Sequence, residues 1–211
     1  MCYNCVSKNY SINGDEIYTM KIGIDIDNTC VNTTEAVLEW LAERGVPKKE
    51  IKDITMYGLE NLYPVEYHKL ISEAFESKYM WQKVHLIEGA KENIYNLRQD
   101  LHELYFVTSS LPENMRKKIN HLKRNLNIFT DRYMFCHTIN IQEKQLLDLD
   151  IMIDDFYGNL CGKRHYISIC LEYPWNIEEC KKDNSIILCK DWNQIYSEVC
   201  RLNNTYMNKL S

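Results

Sequence analysis

Three pairs of polar residues stand directly after apolar stretches of this sequence, where the strands of a sheet would end. A lysine also lies ten positions before the last pair. The residues are Asp25, Asp27, Thr108, Ser109, Lys144, Asp154 and Asp155. Asp, Ser and Thr are common in turns, so each terminus taken alone is also explained as an ordinary turn. Ligands of open α/β sheets bind beyond the carboxyl ends of the strands, and the three termini together therefore predict a shared site.

The aspartates predict a bound cation. If Asp25, Asp27, Asp154 and Asp155 converge to about 5 Å, each pair of like charges costs roughly 3 kcal/mol at an effective dielectric constant of 20. Hard oxygen ligands of this kind suit Mg²⁺, which keeps several of its waters. All four residues are therefore candidate Mg²⁺ ligands. A phosphate would be a further ligand, and Lys144 would neutralise part of its charge.

The same residues predict phosphoryl transfer through a covalent intermediate. A carboxylate in line with phosphorus can attack it, and water later hydrolyses the aspartyl-phosphate, which makes Asp25 the candidate nucleophile. Asp27 is the candidate general acid and base, because it can protonate the leaving alkoxide and then activate the water. Thr108, with Ser109 beside it, is the candidate hydrogen-bond donor to the phosphate. Mg²⁺ and Lys144 would stabilise charge in the transition state.

Short apolar runs predict the strands that position these residues. Residues 21–27 form a buried, β-branched run that is typical of parallel sheets. Further strands are predicted at 104–107, 133–136, 149–154, 165–170 and 186–188. Helical stripes alternate with these strands from about residue 85 onward, and a closing helix begins near Trp192. This alternation predicts an α/β fold in which a parallel sheet has helices on both faces.

Residues 31–85 differ from this pattern because they are helical throughout. Thr33 or Thr34 can cap a first helix, which carries Val37, Trp40 and Leu41 on one face. A second helical pattern runs from Tyr67 to Phe75.

A helix is also predicted from Pro112, directly after the hydroxyl pair. Its apolar positions predict a buried face made of Met115, Ile119, Leu122 and Leu126. Arg116, Lys117 and Lys118 are then interpreted as a solvated face, and phosphate binding by one of them is the lesser alternative.

At these residues the sequence resembles the haloacid dehalogenase superfamily of phosphatases. The four motifs appear in order as Asp25-Ile-Asp27-Asn-Thr29, Val107-Thr108-Ser109, Lys144 and Ile153-Asp154-Asp155. The acid at position 27 is typical of the phosphatases, since true dehalogenases lack it.

The sequence is similar, in finer detail, to the 5′(3′)-deoxyribonucleotidases. The likeness lies in Glu88-Gly89-Ala90 before a helix, the Thr-Ser pair before another, and Tyr173-Pro-Trp-Asn176. It implies a Rossmann-like core of residues 20–30 and 86–211, with a small helical cap of residues 31–85 inserted after the first strand. Many relatives have Gly after the second aspartate, whereas this chain has Asn28, the next best residue for left-handed backbone angles.

The predicted cap is rich in aromatic residues, which could stack on a nucleobase. They are Trp40, Tyr57, Tyr63, Tyr67, Phe75, Tyr79 and Trp81. Core packing is the commoner use of such side chains, so one or two of them are expected to contact substrate.

The first 19 residues are polar and have neither a helical nor a strand period, and Met20 directly precedes the first strand. We therefore predict that residues 1–19 are an appendage dispensable for activity, which deletion to Met20 tests. Cys2 and Cys5 form a C-x-x-C without a second pair to complete a zinc site. Nine cysteines, an odd count, favour reduced thiols in a cytoplasmic protein.

The net charge of -5 and the pI of about 5.7 argue against a nucleic acid polymer as partner. No apolar run approaches the roughly 20 residues that span a bilayer, and no secretory signal is apparent, so a membrane association is not expected. Both a monomer and a homodimer are compatible with the sequence.

The residues favour a Mg²⁺-dependent phosphatase of small phosphomonoesters, and the resemblance makes nucleoside monophosphates, deoxyribonucleotides among them, the leading substrate. A phosphosugar or another phosphometabolite is the alternative substrate. The alternative from another class is a non-catalytic protein that binds a nucleotide.

Overall fold

The computed structural model describes residues 9–12, 15–126 and 136–210. Its strands are β1 (Asn9–Ile12), β2 (Asp15–Tyr18), β3 (Lys21–Asp25), β4 (Glu103–Thr108), β5 (Cys136–Asn140), β6 (Ile151–Asp154), β7 (Ile167–Leu171) and β8 (Ile186–Cys189). Its helices are α1 (Thr33–Ala42), α2 (His68–Glu76), α3 (Lys78–Lys83), α4 (Ala90–Gln99), α5 (Pro112–Leu126), α6 (Tyr157–Leu160), α7 (Ile177–Lys182) and α8 (Trp192–Leu210). Short 3-10 turns connect several of them.

Six of the strands form one parallel sheet in the order β5-β4-β3-β6-β7-β8. The predicted α/β class and parallel sheet are confirmed. β3 and β6 are buried along nearly their whole length, which explains why both read as continuous apolar runs instead of alternating ones. Of the strand predicted at 133–136, residues 133–135 lie outside the described residues, and β5 begins at Cys136.

Two strands precede the main sheet, where no strand period was recognised. β1 and β2 pair antiparallel, with Ile12 opposite Asp15. Asn-Gly at positions 13–14 is a strong sequence signal for a two-residue hairpin, although those two residues lie outside the described ones. For residues 9–12 and 15–18, the interpretation that the segment has no strand period was therefore wrong, because strands this short are not revealed by hydrophobic periodicity.

Between β3 and β4 the described chain contains no strand of the main sheet. It forms α1, α2 and α3, which pack on one another. The predicted inward face of α1 is buried, since Val37, Trp40 and Leu41 are at most 4% exposed.

The buried face of α5 differs from the prediction. Leu122 and Leu126 are buried as expected, but Met115 and Ile119 are only half-buried. Asn114, Lys118 and His121 are buried in their place. The stripe 114-118-122-126 is spaced by four residues throughout, and the stripe 115-119-122-126 by four, three and four, so each follows one face of a helix. Polar contacts at the sheet edge favour the first stripe.

Among the described residues, no helix combines the length and the apolar character that crossing a membrane would need.

Candidate active site

Parallel pairing brings the ends of three neighbouring strands to one edge of the sheet. β3 lies between β4 and β6, and Asp25 is in register with Val107. Ile24 is likewise in register with Ile153. The next residues along the two flanking strands are Thr108 and Asp154, so both lie beside Asp25.

Three carboxylates form a buried cluster at this edge. Asp25, Asp154 and Asp155 each place one carboxylate oxygen within 4.8 Å of the others. Their exposed fractions are 6%, 1% and 2%. At this separation two like charges repel by about 3 kcal/mol even at an effective dielectric constant of 20, so the cluster requires positive charge nearby.

Lys144 supplies part of that charge. It lies in a 3-10 turn and is 1% exposed. Its ammonium donates a short hydrogen bond to Asp25 Oδ1 and a second one, 2.8 Å long, to Asp154 Oδ2. Burial lowers the pKa of Lys144, but the charges of Asp154 and Asp25 outweigh it and raise the pKa above its ordinary value. The side chain is therefore a permanent cation.

Burial raises the pKa values of two of the aspartates, and one lysine does not neutralise three carboxylates. Burial, followed by the charges of Asp154 and Asp27, raises the pKa of Asp25 to about 7 in spite of Lys144. Burial and the neighbouring Asp154 and Asp25 likewise hold the pKa of Asp155 well above its ordinary value. The donor set of three close carboxylates with excess negative charge fits a hard divalent cation.

Asp27 is held at the mouth of the cluster by a different set of contacts. Its Oδ1 accepts a 2.7 Å hydrogen bond from Thr33 Oγ1, at the start of α1. Its Oδ2 accepts a short one from the ammonium of Lys118. The Asp27 side chain keeps 26% of its surface exposed, whereas that of Lys118 keeps 5%. Asp27 is thus open to a bound molecule, while the lysine behind it is not.

Thr108 is fully buried, and its Oγ1 accepts a 2.8 Å hydrogen bond from Lys118 Nζ. Because the oxygen accepts from the lysine, the Thr108 hydroxyl proton is directed elsewhere and can be donated. The Ser109 hydroxyl donates instead to Gln142 Oε1, 2.7 Å away at the surface. Thr108 is therefore connected to Asp27 through Lys118. The Ser109 hydroxyl bonds a residue outside this group.

A second layer of hydrogen bonds orients the acidic pair after β6. Asp154 Oδ1 accepts from the Phe156 backbone N–H at 2.9 Å. The Asp155 carbonyl accepts from Asn176 Nδ2 at 2.7 Å and from Trp175 Nε1 at 3.3 Å. The Tyr173-Pro-Trp-Asn176 element thus fixes the backbone of one cluster residue, which makes it part of the site's support.

Asn28 occupies the left-handed region, with φ of 53°. Its side chain accepts from the Thr34 N–H at 2.9 Å and donates to Asp155 Oδ2 at 3.5 Å. The tolerance expected of Asn in this conformation is confirmed, and the side chain adds a contact that Gly lacks.

The family model of "5′ nucleotidase, deoxy (pyrimidine), cytosolic type C protein" matches residues 19–202. The chain belongs to this family. The match includes all seven residues predicted for the site. No curated protein matches the sequence significantly.

Solved structures similar to this nucleotidase-family chain have the same fold. A haloacid dehalogenase-like hydrolase from Streptococcus pneumoniae is 15% identical, with a TM-score of 0.59, over 86% of this chain and 98% of that one. A predicted phosphatase from Clostridium acetobutylicum is 14% identical, with a TM-score of 0.61, over 87% and 99% of the two chains. A hydrolase of the same superfamily from Deinococcus radiodurans, solved with phosphate and sodium, is 15% identical, with a TM-score of 0.60, over 87% and 96%.

The predicted superfamily and the resemblance to deoxyribonucleotidases are confirmed, and the chain is a phosphoric monoester hydrolase. Its membership makes a small phosphomonoester the class of substrate and sets aside the non-catalytic alternative.

Lys118 is the residue of this phosphatase that sequence reasoning placed wrongly. It was interpreted as part of a solvated face, yet it is 4% exposed and bonds both Asp27 and Thr108. The sequence signal was present, because position 118 lies four residues before Leu122 on the same helical stripe. Lysine is almost never fully buried without a partner, which favoured the solvated interpretation.

Proposed function

We propose that this phosphatase hydrolyses nucleoside monophosphates, deoxyribonucleotides among them, through a phosphorylated Asp25. The observation that carries the mechanism is the buried carboxylate of Asp25, which ends β3 in contact with Lys144 and in a cluster with Asp154 and Asp155. Family membership supports the substrate. The reading of residues 31–85 as a cap, of 20–30 and 86–211 as the core, and of 1–19 as an appendage belongs to the same proposal, and the family match from residue 19 onward supports it.

In the first step an Asp25 oxygen bonds to phosphorus while the bond from phosphorus to the ester oxygen breaks. Asp27 donates its proton to the leaving alkoxide, and its partly exposed carboxyl supports that role. In the second step Asp27 takes a proton from water, whose oxygen bonds to phosphorus. The bond between phosphorus and Asp25 then breaks, which releases phosphate and restores the carboxylate.

The carboxylates of Asp25, Asp154 and Asp155 would hold Mg²⁺, with Asp27 as the further proposed ligand. The chemistry that Mg²⁺ supplies there is neutralisation of negative charge on the phosphate. Lys144 adds a second, permanent positive charge on the same side. Thr108, and Ser109 through its position next to it, complete the proposed phosphate site.

Mg²⁺ affinity is expected to rise with pH. Burial raises the pKa of Asp25 to about 7, so this carboxyl is largely protonated at pH 6 and must lose its proton to bind the cation. Burial raises the pKa of Asp155 in the same direction. We expect binding at pH 6 to be about tenfold weaker than at pH 8 and to release protons. Titration calorimetry in two buffers with different ionisation enthalpies measures both quantities. Affinity that stays constant across this range would show that neither carboxyl takes part.

Lys118→Met is expected to lower kcat/KM by about a hundredfold, because the variant loses charge-assisted hydrogen bonds to Asp27 and Thr108. Lys123→Met removes the same charge from an exposed position of α5 and should leave the rate unchanged. Steady-state kinetics of both variants with one nucleotide test this. Equal rates in the two variants would contradict the placement of Lys118 in the site.

Among the aromatic residues of the proposed cap (residues 31–85), Tyr57 is the one that we propose to face the nucleoside. Its ring stacks on Phe156 with the centroids 3.9 Å apart, next to Asp155, yet it is 46% exposed. The exposed surface is not at the phenol end, which is buried, and this burial together with the charges of Asp155 and Asp25 raises the pKa of the phenol, so the group stays neutral. Trp40, Tyr63 and Trp81 are buried instead, which is the core use expected for most of the set.

Phosphate release by the purified protein with Mg²⁺ tests the proposed substrate. The panel contains 5′- and 3′-ribonucleotides and deoxyribonucleotides, phosphosugars and an artificial aryl phosphate. We expect the highest kcat/KM with nucleoside monophosphates and a tenfold loss or more with them in Tyr57→Ala. Turnover confined to phosphosugars would be consistent with the proposed mechanism but would exclude nucleoside monophosphates as substrates.

A further inference from the structure

A cavity of about 550 Å³ opens between α3 and α5. One wall is α3, a helix of the proposed cap, and the other is α5, a helix that flanks the sheet. None of the residues proposed for catalysis, for Mg²⁺ or for phosphate binding lines it. It is therefore distinct from the candidate active site, although α5 contributes Lys118 to that site and other residues to this cavity.

The lining is cationic. Lys78, Lys117 and Arg124 line the cavity together with His85 and His121, and no described acidic residue does. Lys117 is partly committed, because its ammonium donates to the carbonyls of Phe75 and Glu76 at 3.2 and 2.9 Å.

The other two cations retain donors for a ligand. Within the described ranges, neither Lys78 nor Arg124 forms an ion pair with a carboxylate. Arg124 donates from Nε to the Asn120 carbonyl at 3.1 Å, which leaves its two terminal nitrogens available. The Lys78 ammonium lies 5.0 Å from the centre of the Tyr79 ring at the exposed end of α3. Two uncommitted cations on opposite walls of one cavity favour an anion between them.

His121 adds an unsatisfied polar group to the same wall. It is 6% exposed, and its Nε2 has no hydrogen-bond partner among the described residues. Burial, Arg124 and His85 lower its pKa, so the ring is neutral at pH 7. An unpartnered polar atom that is buried costs free energy until a ligand or water satisfies it.

We propose that this cavity is a second anion site, which binds a phosphate group between Lys78 on α3 and Arg124 on α5. The planar guanidinium matches two oxygens of a phosphate, and the lysine supplies a point charge from the opposite wall. The volume suits a small molecule that carries the phosphate as well as the free ion. Because the ligand contacts both the insertion and the flanking helix, it would tie the two together.

Histidine side-chain NMR with inorganic phosphate and pyrophosphate as probes tests the proposal. We expect the His121 ring resonances to shift and saturate in the unmodified protein. The dissociation constant should rise about tenfold in Arg124→Gln and in Lys78→Gln, because each loses a charge-assisted contact. Lys123→Gln, which removes one positive charge from the exposed face of the same helix, should bind as the unmodified protein does.

Equal dissociation constants in Arg124→Gln and Lys123→Gln would overturn the proposal, since the shift would then come from phosphate bound elsewhere, such as next to Lys118 one turn away. The absence of any shift at His121 up to tens of millimolar phosphate would overturn it as well. A nucleoside 5′-methylenephosphonate, whose P–C bond resists hydrolysis, distinguishes the sources of the phosphate group. Tighter Arg124-dependent binding of this compound than of phosphate assigns the site to a nucleotide, and equal binding assigns it to the free ion.

Discussion

Asp25→Asn is expected to lower kcat by at least about 10⁴-fold and to leave the protein folded. The amide has the shape of the carboxylate but neither its charge nor its nucleophilicity, so no bond to phosphorus forms. Folding should persist because the change removes one of three close carboxylates, and Lys144 keeps its 2.8 Å hydrogen bond to Asp154. Phosphate release and thermal unfolding measure the two expectations, and mass spectrometry of quenched reactions should detect a phosphorylated aspartate only in the unmodified protein.

Asp148→Asn is the matched control. Asp148 also pairs with a lysine, Lys21, at 2.8 Å, but its side chain is 87% exposed. The same atom replacement in an exposed ion pair should leave the rate unchanged, because such pairs contribute little. If Asp25→Asn retained more than about one per cent of the rate, the covalent mechanism would be wrong, since removal of a nucleophile costs several orders of magnitude.

The core of the fold was predictable because its strands are buried on both faces. Such strands have no polar alternation and appear in the sequence as short apolar runs, of which Ile151–Asp154 is the clearest. Regular alternation with helical stripes then restricts the topology to a parallel sheet. The hairpin of β1 and β2 has neither an apolar run nor alternation with helices, so its sequence signal is the Asn-Gly dipeptide at positions 13–14.

The aspartate cluster was predictable for a related reason. A residue that follows a buried parallel strand must lie at the carboxyl edge of the sheet, and Asp25 and Asp154 end two neighbouring strands. Lys144 joins them from a turn whose path the sequence does not reveal. It was a candidate because it is a cation ten residues before Asp154, and the resemblance to the phosphatase family gave it the same role.

Patterning places Lys118 on the same helical stripe as Leu122 but gives no reason for a lysine to be buried there, because its burial depends on charges from other elements. A lysine on a helix is counted as polar, and polar positions are assigned to the solvated face. Its actual position follows from Asp27, which is 91 residues away in sequence, and from Thr108, which is ten residues away at the end of β4; both meet it only in the folded chain. Ser109 is the opposite case, a residue predicted for the site whose hydroxyl bonds elsewhere. Thr108 next to it contacts Lys118 in the site, whereas the Ser109 hydroxyl bonds Gln142.

Asp27→Asn is expected to lower kcat/KM for a nucleoside monophosphate by about 10³-fold, as loss of a general acid does. The alkoxide that leaves a nucleotide is strongly basic and needs a proton as the bond to phosphorus breaks. The phenolate that leaves an aryl phosphate does not, so for that substrate the variant should lose about tenfold or less in the first step. The second step still requires a base, and the phosphorylated protein should therefore accumulate. Rapid-quench kinetics with the aryl phosphate should show a burst of one phenolate per protein chain.

The dependence on the leaving group separates two roles that the Asp27 contacts allow. Asp27 accepts hydrogen bonds from Thr33 and Lys118, so it could act only by holding that lysine near Thr108. In that case Asp27→Asn would weaken phosphate binding equally for nucleotide and aryl esters. Lys118→Met would then show the same losses in kcat/KM as Asp27→Asn, and neither variant would release a burst of phenolate. Proton transfer predicts the opposite pattern, with unequal losses in Asp27→Asn and equal losses in Lys118→Met. The side chains of Asp25 and Asp27 differ in their exposed fractions, which are 8% and 26%. Only the more open one therefore has the access to solvent that exchanging a proton with water requires.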